Sequence, residues 1–271
     1  MPLEAIIAAQ QEWASSRWPS HTDRRAPSLS ANLISPMSSE VYAQFSAGSG
    51  GELGTANRSG KMSSLRSSSA LAYNFFAPWL GHDLRPLAAA LGHQVNDRTM
   101  RFERKFPHGL SSMPPNMDVT LDNEQASPLG IECKFTEPYG PKKSHPPLDQ
   151  KYFAGDRERW SEQGLTQCQK LAEEIGKNIE FKHLGVGQFL KHLLGLAWTT
   201  KHPPRLLCLW FDSGCEEARE HRAELDRFSA YLGGEVVFGA MTYQEAFAAL
   251  RKGPEPMSGY FDYLTSRYFS A

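Results

Sequence analysis

The chain has 271 residues, 40% of them hydrophobic and 11% aromatic, which is enough to bury a sizeable core in one large domain or two small ones. Lys and Arg number 29 against 30 Asp and Glu, a formal charge of -1, so net charge alone would not hold the protein on nucleic acid or a membrane; such binding would need local patches. The four cysteines form no C-x-x-C pair, no run approaches the ~18 to 20 apolar residues of a membrane span, and "MPLEAIIAAQQEW" has an acid where a secretory leader wants lysines, so a cytoplasmic protein with reduced thiols and no membrane partner is expected.

In chain order, residues 3–14 suit a short amphipathic helix, after which Pro19, Pro27 and Pro36 interrupt. From Ser38 to Ser69 the sequence is Ser- and Gly-rich and reads as a loop or linker, a spacer or a flap over substrate. Ser67, Ser68 and Ser69 offer N-cap hydroxyls to a helix through "ALAYNFFAPWL", and Pro78 and Pro86 divide it from "LRPLAAALGH". Three strands are predicted at "MRFERKF", "MDVTL" and "GIECKF". "DRERWSEQGLTQCQKLAEEIGK" carries one apolar helical face, and "GQFLKHLLGLAW" is a further helix. "RLLCLWF" is a buried strand, "CEEAREHRAELDRFSAYLGG" an amphipathic helix, "EVVFG" a strand and "TYQEAFAALRK" a capped helix. The order implies an α/β domain with a mixed sheet.

The charges inside the second and third strands carry the chemistry. Side chains alternate along a strand, so Glu132 and Lys134 share one face while Ile131, Cys133 and Phe135 share the other. A symmetric hairpin would set Asp118 opposite Lys134 with Glu132 diagonal to it, close enough for both carboxylates to reach one ion. A slip of two residues would keep the faces and change the partners. The plain alternative is a solvated hairpin face with one ion pair worth ~0 to 1 kcal/mol.

An Asp in one strand followed by Glu-x-Lys in the next, with "SSSALAYNFFAPWL" before and "GVGQFLKHLLGLAW" and "RLLCLWFD" after, resembles the PD-(D/E)xK nuclease superfamily, in a bacterial branch of restriction-type endonucleases. The likeness covers about residues 62–250; Met117 stands where the superfamily's proline would precede the aspartate. The resemblance implies a restriction-endonuclease-like mixed β-sheet flanked by helices over 62–271; it does not reach residues 1–61, which composition marks as a partly flexible Ser/Gly-rich extension. It implies Asp118, Glu132 and the main-chain carbonyl of Cys133 as ligands of Mg²⁺ or Mn²⁺, with Lys134 orienting or activating the attacking water. Mg²⁺ suits such a set because it takes one or two carboxylates and fills its octahedron with water and phosphate oxygens. DNA is the implied partner, with RNA not excluded, and a homodimer would allow both strands to be cut.

Glu103 is a candidate supporting acid and Gln188 a supporting residue that contacts the lysine or the phosphate by the same resemblance, and Glu137 is a candidate for its place just past Lys134; a surface salt bridge, a solvated helix face and a structural turn are their respective alternatives. Arg101, Arg104, Lys105, Lys142, Lys143 and Lys191 are candidate phosphate contacts, with Arg98, His108 and His145 in the same clusters. The competing functions are a catalytically degenerate nuclease fold that only binds nucleic acid or protein, and a carboxylate-pair glycosidase, which leaves Lys134 unexplained.

Overall fold

The computed structural model describes residues 2–19, 23–48, 51–55, 58–94, 99–110, 114–140, 148–155 and 157–269. Its centre is a five-stranded mixed sheet: β1 Met100–Lys105, β2 Asn116–Leu121, β3 Leu129–Lys134, β4 Arg205–Trp210 and β5 Val237–Thr242, in that spatial order. The first three strands run antiparallel and β3, β4 and β5 run parallel. Being central, β3 is covered on both faces, which is why its residues from Leu129 to Cys133 are all buried. The architecture is the mixed α/β sheet that the element order predicts.

Helices cover both faces. The row Gly130, Leu206, Phe238 faces α6 (Val186–Thr199) and α7 (Glu216–Tyr231): Leu196 approaches Gly130, and Phe189, Phe228 and Phe238 pack ring to ring. On the other face Gly239 looks toward His93, just beyond α4 (Arg85–Ala90), while Phe75 of α3 (Ser68–Phe76) packs on Tyr243 of α8 (Tyr243–Leu250). Local signals set the boundaries. Ser67 caps α3 through Ala70 N–H, Thr242 and Glu245 form a capping box on α8, and Gly233 with φ 58° follows α7.

Two expectations are corrected. Ser38–Ser69 is not a linker: it contains α2 (Ser39–Ala47), a two-residue ribbon pairing Gly54–Thr55 with Arg58–Ser59, and a 3₁₀ turn at Lys61–Ser63. Its few large apolar groups do the packing. Phe45 stacks on Phe102 at 5.4 Å, Gln44 accepts the Phe102 N–H at 2.8 Å, and Met62 is fully buried. Ile6, Leu33, Val41 and Phe45 share one hydrophobic core with the sheet. The long helix read across 156–177 is shorter, a 3₁₀ turn Ser161–Gln163 and α5 Thr166–Glu174, because Gly164 turns left-handed at φ 78° between them.

The two chain ends are joined by Arg267, 2% exposed. Its guanidinium donates to the main-chain oxygen of Asn32 at 2.6 Å, to Asn32 Oδ1 at 2.5 Å, to Tyr263 at 2.6 Å and to Gln10 at 3.3 Å, and it lies 4.2 Å from the Trp13 ring centre. Gln10 sits in α1 (Pro2–Arg17), so this one side chain ties the first helix to the last turn. None of the described helices is long and apolar enough to cross a membrane.

Candidate active site

The β2–β3 ladder pairs Leu121 with Leu129, Thr120 with Gly130 and Val119 with Ile131, and ends there although both strands continue. The strands part at Asp118. The position across from Asp118 is therefore Glu132, two residues from the expected Lys134, the slip that preserves the faces. Instead of a main-chain partner, the Cys133 N–H donates to Asp118 Oδ2 at 2.7 Å, so the aspartate wedges the fork open.

Across the sheet, β1 breaks at the same level. Glu103 has φ 50°, the only non-glycine residue with positive φ among the described residues, and its pairing with Asp118 is missing from an otherwise regular ladder. Such a conformation costs ~1 to 3 kcal/mol and persists only where the surroundings impose it. Glu103 is 7% exposed, accepts a hydrogen bond from Asn116 Nδ2 at 2.7 Å, and lines the opening.

The opening is a cleft of about 260 Å³ lined by Glu52, Ser68, Ser69, Glu103, Asn116, Asp118, Glu132, Cys133, Lys134 and Gln188. The first turns of α3 (Ser68, Ser69) and α6 (Gln188) both open onto it, bringing the positive ends of two helices to its rim. Asp118, Glu132, Lys134, Gln188 and Glu103 are thus brought together. Lys134 Nζ lies 2.5 Å from Glu132 Oε1 and donates to Gln188 Oε1 at 3.1 Å. Glu132 is 1% exposed, which rules out the solvated hairpin face.

Electrostatics divide the two strand acids. Burial pushes the Asp118 carboxyl well above the usual range, and the charge of Glu132 adds to that push against the opposing pull of Lys134. Burial also works to raise Glu132, yet Lys134 and His192 outweigh it and hold it at about 2. Burial works against the Lys134 charge, but Glu132, Glu137 and Asp118 overcome it and raise its pKa, so its ammonium stays protonated.

His192 has no place among the candidates drawn from the sequence. It is 2% exposed, and its Nε2 lies 2.9 Å from Glu132 Oε2, in a contact too bent for a well-directed hydrogen bond. Spacing held the signal, since residues 188 and 192 are one α-turn apart and Gln188 touches Lys134. Glu52, Ser68, Ser69 and Asn116 were missed too.

The remaining candidates lie elsewhere. Glu137 is exposed, lies outside the cleft lining, and takes the Phe135 N–H at 2.7 Å in a local turn. Arg101 and Arg104 both pair with Asp122, Lys105 donates to the main-chain oxygen of Ala47 at 2.6 Å, and His108, 1% exposed, is a core group. Lys191 lies 5.5 Å from the Tyr152 ring centre. Arg98, Lys142, Lys143 and His145 lie outside the described residues.

A family described as Restriction Endonuclease associating with ARP matches residues 7–269. The chain belongs to this restriction-endonuclease family. The family match runs from α1 to the C-terminal turn, beyond the 62–250 span of the sequence likeness, and takes in the segment that supplies Glu52. No match was found among curated proteins or among solved structures.

In this family member four carboxylates and one lysine line the cleft. Carboxylate oxygens under mutual repulsion fit a hard divalent cation, which would relieve the repulsion that adds to burial in raising Asp118 and Glu103. Among the described residues no three His, Cys, Asp or Glu groups stand together as a ready ligand set, and Glu132 is turned toward Lys134 and His192.

Glu103 supplies a pH test. Burial first, then the charge of Glu52, push its carboxyl up to about 7 from 4.5, against the Asn116 hydrogen bond. An acid whose folded value lies above its unfolded one binds its proton more tightly when folded, so its contribution to stability declines as pH rises from about 4.5 to about 7, by on the order of 3 kcal/mol. In a chelating buffer, Glu103→Gln should stabilise the protein more at pH 8 than at pH 5 in thermal melts; an equal effect at both would refute the assignment.

Proposed function

We propose that this restriction-endonuclease family member is a PD-(D/E)xK-type nuclease that hydrolyses phosphodiester bonds in DNA with Mg²⁺ or Mn²⁺, in bacterial defence or DNA processing. The observation that carries the reading is the convergence of Asp118, Glu132 and Lys134 at the point where β2 and β3 part, with Lys134 also held by Gln188. A catalytically degenerate fold would have no need to keep a buried acid cluster around one lysine.

Asp118 and Glu132, with the main-chain carbonyl of Cys133, would hold the cation, and one or two carboxylates suffice because water and phosphate oxygens complete an Mg²⁺ shell. When bound, the cation would polarise the phosphoryl group and acidify the attacking water. Lys134 then serves as a fixed positive charge beside the phosphate rather than as a base, since its acidic neighbours keep it protonated. Gln188 steers the ammonium, and His192 backs Glu132 from the buried side. Glu103 is a further acid within the same cleft, and the N-termini of α3 and α6 favour an anionic substrate at its rim.

The test is to incubate the purified protein with supercoiled plasmid, single-stranded DNA and RNA, each with Mg²⁺, with Mn²⁺ and with a chelator. Metal-dependent cutting of DNA supports the reading, and preferential cutting of RNA would move the substrate class. Retained nucleic-acid binding without cutting under any condition would favour the degenerate fold.

A further inference from the structure

A second cluster lies along α6 from the cleft, around Tyr152. That side chain is 3% exposed, and three groups approach its ring: Lys151 Nζ at 5.6 Å, Lys191 Nζ at 5.5 Å and the His108 ring at 5.9 Å. Trp160, 5.7 Å from Tyr152, is preceded along the chain by Arg159, a residue 7% exposed. Nε and Nη1 of Arg159 are buried with no acceptor. His108 Nδ1 accepts the Leu110 N–H at 3.3 Å, which leaves the ring proton on Nε2, and Nε2 is also buried without an acceptor. Burial foremost, with the charges of Lys151, Arg159 and Lys191, lowers the His108 imidazole against a backbone contact that raises it, which favours this neutral form.

Among the described residues, the two acids that act on Lys191 and Arg159 already have partners. Asp149 lies 3.3 Å from Lys151 Nζ and accepts the Lys151 N–H at 3.0 Å, and Glu162 is gripped by Arg157 through both carboxylate oxygens. What remains is a set of cations and buried N–H donors with no acceptor. An unpaired buried donor is destabilising, and a buried guanidinium without a counter-charge is more so. A phosphodiester answers both needs, with one negative charge and two exposed oxygens that a guanidinium can fork.

We propose that the Tyr152 cluster, through Lys151, Arg159, Lys191 and His108, binds a backbone phosphate flanking the scissile one on the same nucleic-acid strand. The proposal rests on the nuclease reading of the cleft. Its place on the strand follows from α6: Lys191 stands three residues, ~4.5 Å along the helix axis, from Gln188, which holds Lys134. A strand whose scissile phosphate lies beside Lys134 would carry its neighbour toward Lys191. The two lysines would make the contact, and buried Arg159, whose charge already lowers the His108 imidazole, would add to the attraction.

The test measures binding of a labelled oligonucleotide by fluorescence anisotropy in a chelator, for wild type and for Lys151→Ala, Lys191→Ala and Arg159→Met. Each variant should bind several-fold more weakly, each lysine variant should flatten the salt dependence by about one unit of slope, and a single neutral methylphosphonate beside the scissile position should weaken wild type but not Lys191→Ala. Arg159→Met should also melt higher than wild type, because it removes an uncompensated buried charge. Unchanged affinity and slope in all three variants, with metal-dependent cutting intact, would overturn the subsite alone. A wild-type protein that neither binds nor cuts nucleic acid would overturn the nuclease reading and the subsite with it.

Discussion

Asp118→Asn is expected to abolish metal-dependent cutting, a loss of about 10³-fold or more, while the metal-free protein melts at a higher temperature than wild type. The opposite signs have one cause. Burial and the charge of Glu132 make the Asp118 carboxylate unfavourable in the metal-free fold, so an amide of nearly the same shape relieves that repulsion. Its oxygen still accepts the Cys133 N–H, so the fork between β2 and β3 should stay as it is. The same change would remove a proposed cation ligand, so function would be lost where stability is gained. Lys134→Ala should reduce cutting on a similar scale with Mn²⁺ binding retained, which separates the charge beside the phosphate from the ligand set. Cutting by Asp118→Asn at the wild-type rate would refute the assignment of Asp118.

The second large effect concerns the fold. Arg267→Ala should cost on the order of 4 kcal/mol or more, because it empties a buried site and takes the Arg267 donor from Asn32 Oδ1 and Gln10 Oε1, while the Asn32 main-chain oxygen keeps Asn74 Nδ2. For a chain of this length that corresponds to a fall of roughly 10 °C in melting temperature. Arg267→Lys should recover little, since one ammonium cannot span the carbonyl, amide and hydroxyl that the planar fork reaches. A melting temperature within a degree or two of wild type would show that the ends of the chain are held by something else. Because Arg267 joins residues 10 and 32 to the last turn, the effect would also measure how far the N-terminal segment is part of the folding unit.

The strands and most helices were legible because their signals are local. Alternation marked "MDVTL" and "GIECKF", a continuous apolar run marked "RLLCLWF", and serine, threonine and glycine marked the ends of α3, α7 and α8. Gln188 was legible for its position one helix after the Glu-x-Lys strand, and it does touch Lys134. Strand register was not, because the ladder closes on Leu121 and Leu129 and ends at Val119 and Ile131 instead of running on to the charges.

Composition misled over Ser38–Ser69. Three large apolar groups, Val41, Phe45 and Met62, are enough to seat that segment on β1 and α3, and its small residues let Glu52 approach Glu103. Glu52, Ser68 and Ser69 enter the cleft by long-range packing, which no spacing in the sequence records. Glu103 was legible as a candidate acid, but its left-handed backbone, with which it meets the others, was not.

The measurement that bears most directly on the central claim, an acid cleft that takes a divalent cation beside Lys134, is a calorimetric titration with Mn²⁺ of wild type, Asp118→Asn and Glu132→Gln. The account predicts binding to wild type that is lost in Asp118→Asn and weakened or lost in Glu132→Gln, with both variants folded. Equal Mn²⁺ binding by all three, or none by wild type, would contradict it and leave the cleft as an ion-paired feature of the fold.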